Sequence, residues 1–155
     1  MPLVTLEQVR AARAQIAGRA YRTPMVHSKN LSAMVGLDVY LKLEPMQKTG
    51  SFKVRGGLIY FDELAKHPVK PKGVITATRG NHGQSVAFAA RRYDIPSFVV
   101  VPHGNSTEKN AAMRAFGATL IEHGEDFQSA REYAAELALK ESLHFVPTYH
   151  SLLVA

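Results

Sequence analysis

The sequence contains no cysteine, which excludes disulfides, thiolate metal sites and a cysteine nucleophile. None of its seven histidines falls in an HExxH or other close ligand pair, so no metal site is expected from them. No apolar run approaches the roughly 20 residues that cross a bilayer. The opening "MPLVTLEQVRAARAQ" lacks the charged-then-apolar order of a secretory signal. A cytoplasmic chain without membrane contact is expected. Acidic residues are the scarcer charge, 13 against 19 Lys and Arg, giving a net charge of +6 and a pI near 9.7. The surplus is dispersed over Arg10, Arg13, Arg19, Arg22, Arg91 and Arg92, and no aromatic-interleaved patch accompanies it. That pattern describes a mildly basic surface suited to an anionic small ligand, not a nucleic-acid interface. A GxGxxG dinucleotide fingerprint is also missing, since "GNHG" has the wrong spacing.

The 155 residues, 46% of them apolar, suffice for one domain with a real core. Leu6, Val9, Ala12 and Ile16 recur at helical spacing, and Thr5 with Gln8 matches a capping box, which predicts a helix over 5–17 ended by Gly18. Beyond it, short apolar runs at 37–43, 73–77, 96–101, 118–122 and 143–146 read as strands. Helices are predicted between them near 51–66, 82–93, 106–116 and 126–140. The third carries an Asn105-x-x-Glu108 capping pattern; the fourth has Glu125 and Asp126 at its start and Phe127, Ala130, Ala134 and Leu137 on one face. Strands alternating with helices predict an α/β fold, an open, mainly parallel twisted sheet with helices on both faces. Ligands collect at the carboxyl ends of such strands, which directs attention to "EPMQKTGSFK", "TRGNHGQ" and "VPHGNSTEKN".

In the first turn Gly50 and Ser51 precede a helix whose early amides lack intrachain partners, and Lys53 falls in its first turn. A cation there opposes the helix dipole, which favours a neutral amine able to attack a carbonyl. A solvated lysine is the ordinary reading of that spacing alone. Phe52 is a neighbour able to cover a flat ring. In the second turn the amides of residues 79–83 suit a carboxylate, and Asn81 could donate to a phenolate oxygen or simply cap the helix.

Together, "TGSFKVRGG" and "TRGNHGQSVA" resemble the fold-type-II pyridoxal-phosphate enzymes, in particular the serine/threonine dehydratase and serine racemase branch. The lead-in "TPMVHSKNLSAMVGLDVYLKLEPMQ" and the later "PSFVVVPHGNSTEKNAAMRAFGATLIEHG" extend the likeness over nearly the whole chain. The resemblance implies the small domain of the tryptophan-synthase-β-like fold, pyridoxal 5'-phosphate as cofactor and a small-molecule amino-acid substrate. It makes Lys53 the catalytic Schiff-base lysine, Phe52 the ring contact and Asn81 the partner of the cofactor 3-hydroxyl. Thr78, Arg79, Gly80, Asn81 and His82 become the loop for the substrate carboxylate. Phe52 before the lysine and Val54-Arg55-Gly56-Gly57 after it favour the hydroxy-amino-acid dehydratases over cysteine-synthase relatives. Arg79 replaces a small residue common at its position, which keeps a doubly acidic substrate open.

Members of that family run to about twice this length, in line with two domains of about 100 to 200 residues each. The expected division is an N-terminal arm over 1–42 that in relatives packs on the large domain, the small α/β domain over 43–146, and the start of the large domain over 147–155. The glycine-rich phosphate loop, the pyridine-nitrogen partner and any metal site are expected outside this sequence, which reads as a fragment of a homo-oligomeric enzyme. The expected activity is dehydration and deamination of threonine or serine to a 2-oxo acid and ammonia. An amino-acid racemase, and a non-catalytic binding or oligomerisation module that keeps the motifs, are the alternatives.

Overall fold

The computed structural model describes residues 4–148. Helix α1 (Leu6–Gln15) starts at Thr5 with both hydrogen bonds of the anticipated capping box. A short antiparallel ladder follows, in which β1 (Met25–His27) and β2 (Tyr40–Lys42) flank α2 (Lys29–Val35). A 3-10 turn at Glu44–Met46 then leads to α3 (Lys53–Leu64). The remaining elements alternate: β3 (Val74–Ala77), α4 (Asn81–Arg91), β4 (Ser97–Val101), α5 (Thr107–Ala115), β5 (Thr119–Glu122), α6 (Phe127–Glu141) and β6 (His144–Phe145).

The last four strands form one parallel sheet in the order β5-β4-β3-β6, as the α/β reading expects. Every residue of β3 is buried because both faces of the sheet are covered. Val74, Val99 and Val101 face the layer of α3, α4 and α5, where Phe61, Val86, Ala89 and Met113 meet them. Ile75, Ala77 and Val100, alternating with these along the strands, face α6. That helix presents Ala130, Ala134 and Ala138 one turn apart, and these small side chains let it lie close to the sheet. α3 and α4 also approach closely. A methyl group on Gly57 would collide with Ser85 Oγ, so this contact requires glycine.

Residues 37–43 do not join the parallel sheet. β2 pairs with β1, a ladder absent from the sequence reading, as was α2. The physical reason is proximity: β1 is the nearest extended segment, and closing that short loop costs less entropy than reaching the central sheet. Two caps also differ. Ser106 Oγ, not Asn105, accepts the Lys109 amide at the start of α5. Asp126 is the N-cap of α6 in a box with Ser129, one position ahead of the first turn.

The end of α1 rests on the sheet domain: Ala12, Ile16 and Ala20 pack against Val54, Leu58, Ile59 and Phe88. Asp62 of α3 clamps this join by accepting hydrogen bonds from the Arg19 guanidinium, the Gln15 amide (2.7 Å) and the Tyr93 hydroxyl. The Arg19 hydrogen bonds hold the Asp62 carboxyl down at about 2, and the ion pair raises Arg19 in turn. Among the described residues no helix is long and apolar enough to cross a membrane. The expected large-domain start lies, over 149–155, outside the described residues.

Candidate active site

β4 and β5 extend the sheet on one side of β3, whereas β6 returns to its other side, so the strand order reverses between β3 and β6. A crevice at the carboxyl ends of strands is expected at such a reversal. The chain places Lys53 there. Its turn is braced from two sides: buried Gln47 accepts from the Tyr21 and Lys48 amides and donates to the Tyr21 carbonyl, while Glu44 binds Arg55 (3.0 and 2.7 Å) and Thr23 (2.6 Å). Gly50 takes a left-handed φ of 66°, open to glycine at no steric cost, and this turns the chain into α3. Ser85 Oγ donates to the Lys53 carbonyl at 2.7 Å, fixing the first residue of α3 to α4.

Lys53 Nζ donates to the Thr148 carbonyl at 2.9 Å, across the mouth of the crevice just beyond β6. The cavity behind it measures about 40 Å³ and is bounded by Phe52, Gly57, Tyr60, His82 and Val146, among others. That inner space suits a water molecule, and the crevice opens outward to solvent past Phe52. Phe52 is 59% exposed, its ring centre 5.7 Å from Lys53 Nζ, an apolar surface open to a planar ligand. His82 lies at the inner wall, its Nε2 3.5 Å from the Val146 carbonyl oxygen. Burial holds its pKa down at about 4 against the pull of that carbonyl, and the Lys53 charge adds to the depression. The imidazole is therefore neutral near pH 7.

The loop from β3 to α4 is ordered by its own residues. Buried Thr78 accepts the Gly80 amide on its Oγ at 2.9 Å. The first bond of α4 runs from the Gln84 amide to the Gly80 carbonyl, which leaves the Asn81, His82 and Gly83 amides ahead of the helix ladder. Gly83 is pressed on the sheet: a Cβ there would meet Met113 Sδ at 2.5 Å and Thr78 Cγ2 at 2.6 Å. Asn81 is the first helical residue, not the cap, and its exposed side chain makes no hydrogen bond among the described residues. The capping account of Asn81 is thereby set aside.

Phe52, Lys53 and His82 thus share one crevice, with Asn81 beside them at the head of α4. Arg79 is exposed and lines a second cleft, of about 240 Å³, with His103, Asn105, Ser106 and Lys109. Sequence reasoning missed Ser85, Tyr60 and the Thr148 carbonyl. Ser85 had a faint signal, a hydroxyl in the small-residue run "GQSVAFAA", but its pairing with Gly57 is visible only in three dimensions.

These residues fit pyridoxal phosphate on the sides they offer. A primary amine for its aldehyde stands at the strand-order reversal, an exposed aromatic face adjoins it, and unpaired amides and a side-chain amide face the same region. The Ser51 hydroxyl, two residues before Lys53, is buried and has no hydrogen-bond partner among the described residues, an unspent polar group at the site.

The chain is similar to known proteins over most of its length. The family profile described as pyridoxal-phosphate dependent enzyme matches residues 16–155. An L-threonine ammonia-lyase of Thermotoga maritima is 36% identical over 148 residues, covering 96% of this chain and 37% of that protein. A catabolic L-threonine dehydratase of Staphylococcus aureus is 38% identical, over 95% of this chain and 42% of the relative. Among solved structures, a pyridoxal 5'-phosphate-dependent aspartate racemase superposes with a TM-score of 0.86 at 31% identity, over 96% of this chain and 47% of that one. A crystal structure of a threonine deaminase superposes with a TM-score of 0.80 at 34% identity, over 97% and 47%. The chain therefore spans less than half the length of these relatives. A profile match over most of its residues shows that the chain belongs to the pyridoxal-phosphate dependent enzyme family.

Proposed function

We propose that the chain is the lysine-bearing part of an ammonia-lyase that dehydrates and deaminates threonine or serine. The observation that carries this reading is Lys53 Nζ at the reversal of strand order, next to the 78–82 loop. Lys53 is the attachment and catalytic residue, Phe52 the ring contact and Asn81 the side-chain amide for the cofactor 3-hydroxyl. Thr78, Arg79, Gly80, Asn81 and His82 form the loop that receives the substrate carboxylate. When bound, pyridoxal phosphate supplies an electron sink for the pair left on the α-carbon. The chain's own residues do the rest. Carboxylate binding at the loop orients the α-C–H bond; Lys53 Nζ takes its proton; buried, neutral His82 forms the inner wall. The β-hydroxyl leaves with the C–O bonding pair and one proton, as water, a count balanced by the proton that Lys53 took from the α-carbon; a later water adds at the α-carbon and releases ammonia and the 2-oxo acid. Lys53 Nζ is held by the Thr148 carbonyl at 2.9 Å, a hydrogen bond that attachment of the cofactor would release.

Racemisation is the second reading, favoured by the high structural likeness to a racemase. The division into an arm over 1–42, a small domain over 43–146 and a following segment from 147, a homo-oligomeric assembly and a cytoplasmic location are part of the same proposal. Exposed Met25, Met34, Leu37 and Tyr40 on the β1–α2–β2 unit support a covered face there. The test is to titrate pyridoxal phosphate into the protein and follow visible absorbance, then add L-threonine or L-serine and assay 2-oxo acid. Saturable absorbance that Lys53→Ala abolishes supports the site, and 2-oxo acid supports the lyase. A racemised product without 2-oxo acid favours the second reading, and equal absorbance in Lys53→Ala refutes the assignment.

A further inference from the structure

The cleft beside the 78–82 loop has a use that the lysine crevice does not explain. It lies between the β3–α4 and β4–α5 turns, about 240 Å³ in volume, and no acidic residue lines it. Two basic side chains do, Arg79 and Lys109, with the His103 imidazole beside them. Among the described residues neither the Arg79 guanidinium nor the Lys109 ammonium makes a hydrogen bond or ion pair. Arg79 acts at a distance on the Asp126 carboxylate, which accepts the Ser129 amide at 2.8 Å in its helix cap. Lys109 is held in place through its stem, since a Cβ on Gly80 would stand 2.5 Å from Lys109 Cδ. The aliphatic part of Lys109 therefore covers the glycine of the loop and brings its charge to the loop's edge. Two like charges converge without a countercharge on the cleft wall, an arrangement that an anion relieves.

We infer that Arg79, Lys109 and His103 form a subsite for a second anionic group on the substrate side chain, and that the site prefers an acidic amino acid over its neutral isostere. This rests on the proposed reading that the 78–82 loop receives the α-carboxylate, because Arg79 belongs to both the loop and the cleft. A guanidinium offers paired donors to a carboxylate and an ammonium adds a point charge, so the pair discriminates by charge more than by size.

The experiment compares L-aspartate with L-asparagine, which differ in charge at nearly constant shape, by amide chemical-shift titration of the isotope-labelled chain. The expected result is that aspartate shifts the amides of Arg79 and of residues 103–109 and binds roughly tenfold more tightly than asparagine. Lys109→Met, which keeps the stem over Gly80 and removes the charge, should bring that ratio down to about twofold or less, and Lys109→Arg should restore it. Equal affinities, absence of shifts at these amides, or a ratio unchanged in Lys109→Met would overturn the subsite. Inorganic phosphate shifting the same amides as tightly as aspartate would also overturn it, by making the cleft a general anion site. Borohydride-fixed pyridoxal phosphate on Lys53, measured in the same variants, separates the two proposals. In the unmodified chain, label on Lys53 without any aspartate preference refutes the subsite alone, and aspartate preference without label on Lys53 refutes the lysine assignment alone; label kept in Lys109→Met while the preference falls is the expected result.

Discussion

β3 and β2 are both short strands, yet all four residues of β3 are buried and all three of β2, Leu41 among them, are exposed. The difference lies in what covers them. β3 has a strand on each side and helices on both faces, whereas β2 has one partner and an open face shared with Met25, Met34 and Leu37. One region supplies its own core; the other offers apolar surface. The lysine crevice lies on the self-sufficient side, built from α3, α4 and the end of β6, while the turn before Lys53 is tied to the segments that flank β1 and β2.

The sharpest way to break this comparison is in the core. Phe61 is fully buried between α3, α4 and the sheet, and Phe61→Ala should lower unfolding free energy by about 3–5 kcal/mol in a urea titration. A loss near zero would mean that the helical layer does not carry the sheet. Next in size is a pH effect at the crevice. His82 titrates near 4 when folded and near 6.5 in the unfolded chain, so the unfolded state binds the extra proton between those values. Stability should be full above about pH 6.5 and fall by up to about 3 kcal/mol as pH drops toward 4. His144, also depressed by burial, acts in the same direction, so the slope should flatten in His82→Asn without vanishing. A pH-independent midpoint over that window would contradict the buried, neutral imidazole.

The join between the end of α1 and the sheet domain should give a smaller effect. Asp62→Ala removes the acceptor shared by Arg19, Gln15 and Tyr93 and should cost roughly 2 kcal/mol, between the values for exposed and buried ion pairs. Hydrogen exchange at residues 6–20 should rise with it. At the far end, Met34→Ala on the uncovered unit should change stability by less than about 0.5 kcal/mol, and a larger loss would show that this face is covered in solution.

Much of this was legible from local signals. The Thr5–Gln8 box, the alanine face of α6 and the β-branched runs of β3 and β4 are properties of adjacent or helically spaced residues, and the elements they define fall within a few residues of expectation. The pairing of residues 40–42 was not legible, because a strand's partner depends on which loop closes first, and nothing in "LDVYLKL" encodes that. At the site, Lys53, Phe52 and His82 converge as the motif suggests. Ser85 under the Lys53 carbonyl and Lys109 over Gly80 are contacts between helices far apart in sequence, written in no single segment.

The proposed function gives the cofactor to Lys53 alone among the lysines. Its most direct test is to incubate the chain with pyridoxal phosphate, reduce with borohydride and locate the modified residue by peptide mass spectrometry. The account predicts near-stoichiometric label on Lys53 and its loss in Lys53→Ala. Label spread evenly over Lys42, Lys48 and Lys53, or unchanged in Lys53→Ala, would contradict it.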